Sequence, residues 1–177
     1  PDAGTFFFHP HCNTAAQMGR GLLGALIVEE VKPAFDDDVV MILKDWRLGE
    51  SGTFLPFLTA DGASKAGSFG TLRTVNGVPL PRIGTCSDAF IRLRLINADL
   101  TRIAQIGVSG ADARVVAIDG NPVAPFALDT WRLGPGMRLD LAVRTSKSDI
   151  RLLDYFAASP VLLATLAADG QKGKGQE

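Results

Sequence analysis

His9 and His11 are the only histidines among the 177 residues, two positions apart in the run Gly4-Thr5-Phe6-Phe7-Phe8-His9-Pro10-His11. The run reads as a β-strand, and residues two apart on a strand share a face. The two imidazoles are therefore expected side by side, about 6–7 Å apart at the backbone for a rise of about 3.3 Å per residue. A pair so placed can ligate one metal ion or two adjacent ones, and neutral imidazole suits copper, zinc, iron or nickel. The alternative is two half-buried rings held only by hydrogen bonds, and the spacing by itself names no metal.

The elements that must hold the pair read as β-structure throughout. Phe90-Ile91-Arg92-Leu93-Arg94-Leu95 sends Ile91, Leu93 and Leu95 to one face and both arginines to the other, the pattern of a half-buried strand. Arg138-Leu139-Asp140-Leu141-Ala142-Val143-Arg144 repeats it, and Ala104, Ile106 and Val108 alternate likewise. Val39-Val40-Met41-Ile42-Leu43 is a continuous apolar run, expected as a strand covered on both faces. Asn76-Gly77, Asp119-Gly120-Asn121-Pro122 and Gly134-Pro135-Gly136 supply turn residues between these runs. Short strands separated by turns indicate an antiparallel sandwich or barrel. Helical periodicity is scarce; one short helical turn is expected within residues 14–18 or 19–23. Pro10 lacks an N–H, so the first strand is at an edge or ending there.

The run around His9 and His11, followed by Gln17-Met18-Gly19-Arg20-Gly21-Leu22-Leu23-Gly24-Ala25-Leu26-Ile27-Val28-Glu29-Glu30, resembles a copper-binding motif of the multicopper oxidases, the laccase-like enzymes, here of bacterial type. Val75-Asn76-Gly77, Arg92-Leu93-Arg94-Leu95-Ile96-Asn97, Ala117-Ile118-Asp119-Gly120-Asn121-Pro122-Val123 and Leu133-Gly134-Pro135-Gly136-Met137-Arg138-Leu139-Asp140 resemble landmarks of that family's middle domain, in the family's order. The resemblance implies an all-β, cupredoxin-like Greek-key β-sandwich or barrel. It implies three segments: the end of a first cupredoxin domain over 1–33, a second cupredoxin-like domain over 34–168, and a flexible tail over 169–177.

Carried onto this sequence, the resemblance makes His9 and His11 ligands of a type 3 copper pair, with no catalytic residue beyond them. It implies an oxidase that couples one-electron oxidation of a phenol, an aromatic amine or a metal ion to four-electron reduction of dioxygen to water. A complete trinuclear cluster in the family takes eight histidines, and the type 1 copper takes a cysteine and two more. This chain has two histidines, so the pair must be completed by residues outside it and the segment alone is expected to be inactive. The remaining cupredoxin domains of a parent protein are the implied partners, with dioxygen and a small reducing substrate. A start inside a strand pattern and without methionine fits a stretch of a longer protein, and periplasmic or extracellular placement follows from the family. Two rival readings are a copper-free structural or protein-binding scaffold of the cell envelope, as in division proteins that resemble this family, and an unrelated β-sandwich binding module.

Composition bounds the remainder. Eighteen basic and nineteen acidic residues give a formal net charge of −1, so no broad positive field gathers nucleic acid. No apolar run reaches the length of a membrane span. Cys12 follows His11, but Asn13 replaces the second histidine that a type 1 arrangement needs; Cys12 is expected to be a small buried packing residue. Cys86 lies on an apparent loop, and sequence does not establish whether the two cysteines pair. Trp46 reads as a core aromatic with its indole N–H paired. Asp119 and Asp140 read as structural acceptors. Residues 29–38 look like a charged linker, and 48–68 like a surface insertion more than a substrate lid.

Overall fold

The alternating segments fold as strands and the turn residues between them fold as turns. A computed structural model describes residues 2–168, and its strands and helices run in order as follows. The first part holds β1 (Gly4–Phe8), α1 (Thr14–Gly19), β2 (Gly24–Val28), β3 (Asp37–Trp46), α2 (Ala60–Ala63), β4 (Leu72–Val75) and β5 (Arg82–Gly84). The rest is β6 (Phe90–Asn97), β7 (Ala104–Ser109), β8 (Ala113–Ile118), β9 (Asn121–Ala127), β10 (Trp131–Leu133), β11 (Arg138–Arg144), β12 (Ile150–Asp154) and β13 (Val161–Ala167). The tail expected over 169–177 lies outside the described residues.

Two sheets face each other as a β-sandwich. One has the order β4-β3-β6-β11-β8-β9 and the other β10-β7-β12-β13-β5, while β1 and β2 form a separate antiparallel hairpin. Pairing is mostly antiparallel, but β3 with β6 and β13 with β5 run parallel. Chain order and spatial order differ because β6, β7, β8, β9, β10 and β11 pass repeatedly between the two sheets, as a Greek key requires. Ile91, Leu93 and Leu95 of β6, with Leu139, Leu141 and Val143 of β11, meet Ile106, Leu133, Leu152 and Leu166 from the opposite sheet in one core. Each such side chain contributes about 1.5–3 kcal/mol by leaving water. Asn76 and Gly77, at φ 53° and 79°, and Asp119 and Gly120, at 51° and 81°, take the left-handed conformations of two-residue hairpin turns.

The outer face of β6 departs from expectation. Alternation turns Arg92 and Arg94 away from the core, as read from sequence, yet neither reaches solvent: Arg92 is 7% exposed and Arg94 0%. The β1–β2 hairpin lies over that face and supplies the Thr5 hydroxyl, while the carboxylates come from Glu30 just past β2, Asp38 of β3 and Asp140 of β11. Arg94 Nη1 donates to Thr5 Oγ1 at 2.8 Å, Thr5 Oγ1 donates to Asp140 Oδ2 at 2.9 Å, and Arg94 Nη2 donates to Asp38 Oδ2 at 3.1 Å. Arg92 donates through Nε to Asp38 at 2.6 Å and through Nη2 to Glu30 at 2.8 Å. The charged stretch 29–38 is therefore not only a connection, since its carboxylates neutralise the arginines of β6.

These groups set each other's charge. Hydrogen bonds from Arg92 hold the Glu30 carboxyl at about 2. A carboxylate with a depressed folded-state pKa stabilises the fold above its ordinary value, so this contribution is complete above 4.5 and is lost as pH falls from there toward 2. Burial pushes Asp38 up, but hydrogen bonds from Arg92 and Arg94 outweigh it and bring the group below its ordinary value. At Asp140 burial prevails over the Thr5 hydrogen bond and the Arg94 charge, and its carboxyl is raised.

Candidate metal centre

β1 pairs with β2 in the register Thr5↔Ile27, Phe6↔Leu26, Phe7↔Ala25 and Phe8↔Gly24, and the ladder stops there. The strand expected across both histidines ends before them, because Pro10 has no N–H to continue the pairing. The rings nonetheless share a side. His9 and His11 stack with centroids 4.8 Å apart and planes 21° from parallel. The Phe7 ring stacks on the other side of His9 at 5.1 Å and 20°. The result is a row of three rings at every second residue, with His9 half-buried and His11 exposed.

Backbone carbonyls shape the turn that follows. His9 Nδ1 lies 3.3 Å from the Pro10 carbonyl oxygen. A proton held there on Nδ1 leaves the Nε2 lone pair free for a metal. Thr14 Oγ1 donates to the carbonyls of Pro10 at 3.0 Å and His11 at 2.9 Å, and the Gln17 side-chain amide donates to the Cys12 carbonyl. Asn13 takes φ 51°, which turns the chain into α1.

The short helix is held in turn by the segment 48–68. Phe57 lies flat against Gly19, where an added Cβ would come within 2.2 Å of its ring. The Arg20 guanidinium lies 5.1 Å above the Phe57 ring and 5.6 Å from Phe54. Arg47 Nε donates to the Pro56 carbonyl at 2.7 Å. The segment lies on the surface, as expected of an insertion, and in addition docks through Phe57 on the helix that follows the histidines. The aromatic pair Phe54 and Phe57 beside Arg20 was the available signal, of which Phe57 makes the contact while Phe54 stays exposed.

Beneath this contact the buried Lys44, Asp45 and Asp99, with half-buried Arg102, form a polar cluster around a void of about 10 Å³. Arg102 Nε and the Gly70 N–H each donate to Asp45 Oδ2 at 2.7 Å, Lys44 Nζ donates to the Asp45 carbonyl at 2.7 Å, and the Asp45 N–H donates to Asp99 Oδ1. Burial, with the Asp45 charge beside it, pushes the Asp99 carboxyl up to about 7. The folded state then binds more protons than the unfolded chain between pH 3.8 and about 7, so Asp99 costs stability progressively as pH rises through that window. Asp99→Asn is expected to flatten that slope and to be on the order of 1–3 kcal/mol more stable than the native protein at pH 8. Thermal unfolding at a series of pH values checks it, and an unchanged slope would contradict the assignment.

Several expected roles fall into place around the pair. Asp119 Oδ1 accepts from the Arg138 N–H at 2.9 Å, and Asp140 accepts from Thr5; both serve as structural acceptors. Trp46 Nε1 donates to Thr74 Oγ1 at 2.7 Å, although its ring is only half-buried. Cys12 is corrected: it is exposed, because it lies in the turn beyond the end of the β1 ladder where no layer covers it. Cys86 is half-buried, and both thiols are free. Among the described residues no group of three or more His, Cys, Asp or Glu side chains gathers into a metal site. The chain offers two imidazoles with compatible donor chemistry, half of a four-coordinate set.

Comparison with known proteins bears on this arrangement. The family described as "Multicopper oxidase" matches residues 37–166, from the first residue of β3 into β13. The multi-copper oxidase from Pseudomonas thermotolerans superposes with a TM-score of 0.88 at 41% identity, covering 94% of this chain and 41% of that one. The laccase-like multi-copper oxidase CueO from Ochrobactrum sp. superposes at 0.82 with 26% identity, covering 99% and 43%. Cell division protein FtsP of Shigella dysenteriae is 31% identical over 190 residues, 93% of this chain and 39% of that protein. The chain thus spans about two fifths of the length of these relatives. The fold is cupredoxin-like, as the oxidases' resemblance to the sequence implied. With matches over most of its length in both sequence and structure, this chain belongs to the multicopper oxidase family.

Proposed function

We propose that this chain is part of a laccase-like oxidase in which His9 and His11 are ligands of a type 3 copper pair completed by donors from elsewhere in a parent protein. The observation that carries the reading is the face-to-face histidine pair at the open end of β1, half-buried on one ring and exposed on the other, in a family that includes multi-copper oxidases 41% and 26% identical to this chain. When bound, the coppers supply the site at which dioxygen accepts electrons and becomes water. The chain's own residues orient the donors: the Pro10 carbonyl favours a proton on His9 Nδ1, Phe7 shields one face of that ring, and Thr14 with Gln17 fixes the turn that brings His11 alongside.

On this reading 1–33 closes a first cupredoxin domain and 34–168 is a second one that spaces the outer domains, with electrons taken from a phenol, an aromatic amine or a metal ion at a type 1 copper outside the chain. The protein is placed in the periplasm or outside the cell; among the described residues no helix is long and apolar enough to cross a membrane. The second reading is a copper-free envelope scaffold, favoured by the 31% identity to a cell division protein.

Copper analysis of the natural full-length protein separates the two. Stoichiometric copper with phenol-dependent oxygen uptake supports the oxidase, while the isolated segment loaded with copper is expected to oxidise no phenol. A copper-free full-length protein refutes the reading, and turnover by the isolated segment refutes the ligand count.

A further inference from the structure

We propose that Thr5 is a positioning residue for the His9–His11 pair, its hydroxyl clamped by Asp140 and Arg94 so that the sandwich sets where the two imidazoles stand. The proposal rests on the copper-ligand reading above.

Thr5, Phe7, His9 and His11 recur at every second residue; Thr5 and Phe7 share one face of β1 by strand alternation, and ring stacking continues the row from Phe7 to His9 and His11 beyond the strand's end. One end of the row is anchored and the other is free. Thr5 is 0% exposed, and its single hydroxyl both donates to Asp140 Oδ2 at 2.9 Å and accepts from Arg94 Nη1 at 2.8 Å. Its proton direction is thereby fixed, since a carboxylate only accepts and a guanidinium only donates. The Thr5 carbonyl also accepts from Arg138 Nε at 3.4 Å.

The opposite face of β1 is confined as well. A Cβ on Gly4 would come within 2.5 Å of the Gly120 carbonyl oxygen, and one on Gly120 within 2.7 Å of the Phe6 ring. The strand is thus trapped between the Asp119–Gly120 turn and the Arg94–Asp140 pair. Sliding it along its axis requires parting Thr5 from both charged partners. From Phe7 onward the same row runs ring on ring at 5.1 Å and 4.8 Å to His11, with no further polar tie from those three rings to the sandwich among the described residues. The hydroxyl of Thr5 is the side-chain polar contact by which the row meets the sandwich, beside the longer one from Arg138 to the Thr5 carbonyl.

The test uses the copper-loaded full-length protein. Thr5→Val keeps the shape and removes the hydroxyl, and Thr5→Ser restores it. Thr5→Val is expected to retain the native copper count, to alter the ultraviolet absorption and magnetic coupling of the copper pair, and to lower kcat/KM for dioxygen about tenfold, a size that fits misplacement of reacting groups by less than about 1 Å. Thr5→Ser is expected to return all three to native values.

A Thr5→Val protein with native spectrum and dioxygen kinetics overturns the proposal while leaving the ligand assignment intact, even if its melting temperature falls. Should Thr5→Val not fold, Asp140→Asn, which weakens the clamp on the same hydroxyl, must show the altered spectrum, and a native spectrum there also overturns it. Failure of the ligand reading looks different: His9→Ala would then keep its copper and its oxygen reduction.

Discussion

His9→Ala in the parent protein is expected to abolish oxygen reduction and to lower copper content, while leaving the fold intact. The separation of these effects follows from position. His9 lies beyond the end of the β1 ladder, is half-buried, and makes one side-chain hydrogen bond, to its neighbour's carbonyl. Removing such a side chain changes stability by roughly 0.5 kcal/mol or less. Loss of a metal ligand is a far larger change, because altering even the outer partners of a ligand costs about 10–100-fold in metal affinity or activity. Activity is therefore expected to fall by more than about 100-fold, with an unchanged thermal transition in the metal-free protein. His11→Ala, on the exposed ring of the pair, is expected to behave alike. Native copper content and native turnover in either variant would end the ligand assignment.

Arg94→Ala is expected to be the most damaging change to the fold itself. The side chain is fully buried and holds Thr5, Asp38 and Asp140 together. Its loss leaves the buried Asp140 carboxylate without the guanidinium that compensates it. Breaking a buried pair by removing one partner costs about 3–5 kcal/mol, a fall in melting temperature of roughly 10 °C for a chain of this size. Replacing both charges together, Arg94→Met with Asp140→Leu, is expected to recover only part of that loss, because an apolar pair avoids the desolvation of two ions but leaves the buried Thr5 hydroxyl unpaired. Urea unfolding of the single and double variants checks both halves. A cost below about 1 kcal/mol for Arg94→Ala would mean that solvent reaches the pair after all.

Much of the framework was legible because strand alternation and turn chemistry are local. The inward faces of β6 and β11 and the left-handed turns at Asn76-Gly77 and Asp119-Gly120 stand where the sequence pattern puts them. The outward arginines of β6 were misjudged for the same reason. A period of two says that the faces differ but not what covers the second, and the answer lay 62 residues away in Glu30 and 89 away in Thr5. Side-by-side placement of His9 and His11 was legible from their spacing, whereas the end of the strand at Phe8 and the exposure of Cys12 depended on where the hairpin stops pairing. Docking of Phe57 on Gly19 required knowing that the two segments meet. The parallel partnership of β3 with β6 is likewise a matter of chain path, on which periodicity is silent.

The buried arginines under the hairpin bear on how such a polypeptide can be recombined. A crossover within residues 31–38 would set a foreign β-hairpin over the outer face of β6 and take away the Thr5 partner of Arg94 and the Glu30 partner of Arg92. Chimeras spliced there are expected to fold poorly, whereas a splice upstream of Gly4 transplants hairpin and sandwich as one heritable block. The sequence's most inviting seam is thus its least exchangeable, and the histidine pair travels with the strands that seat it.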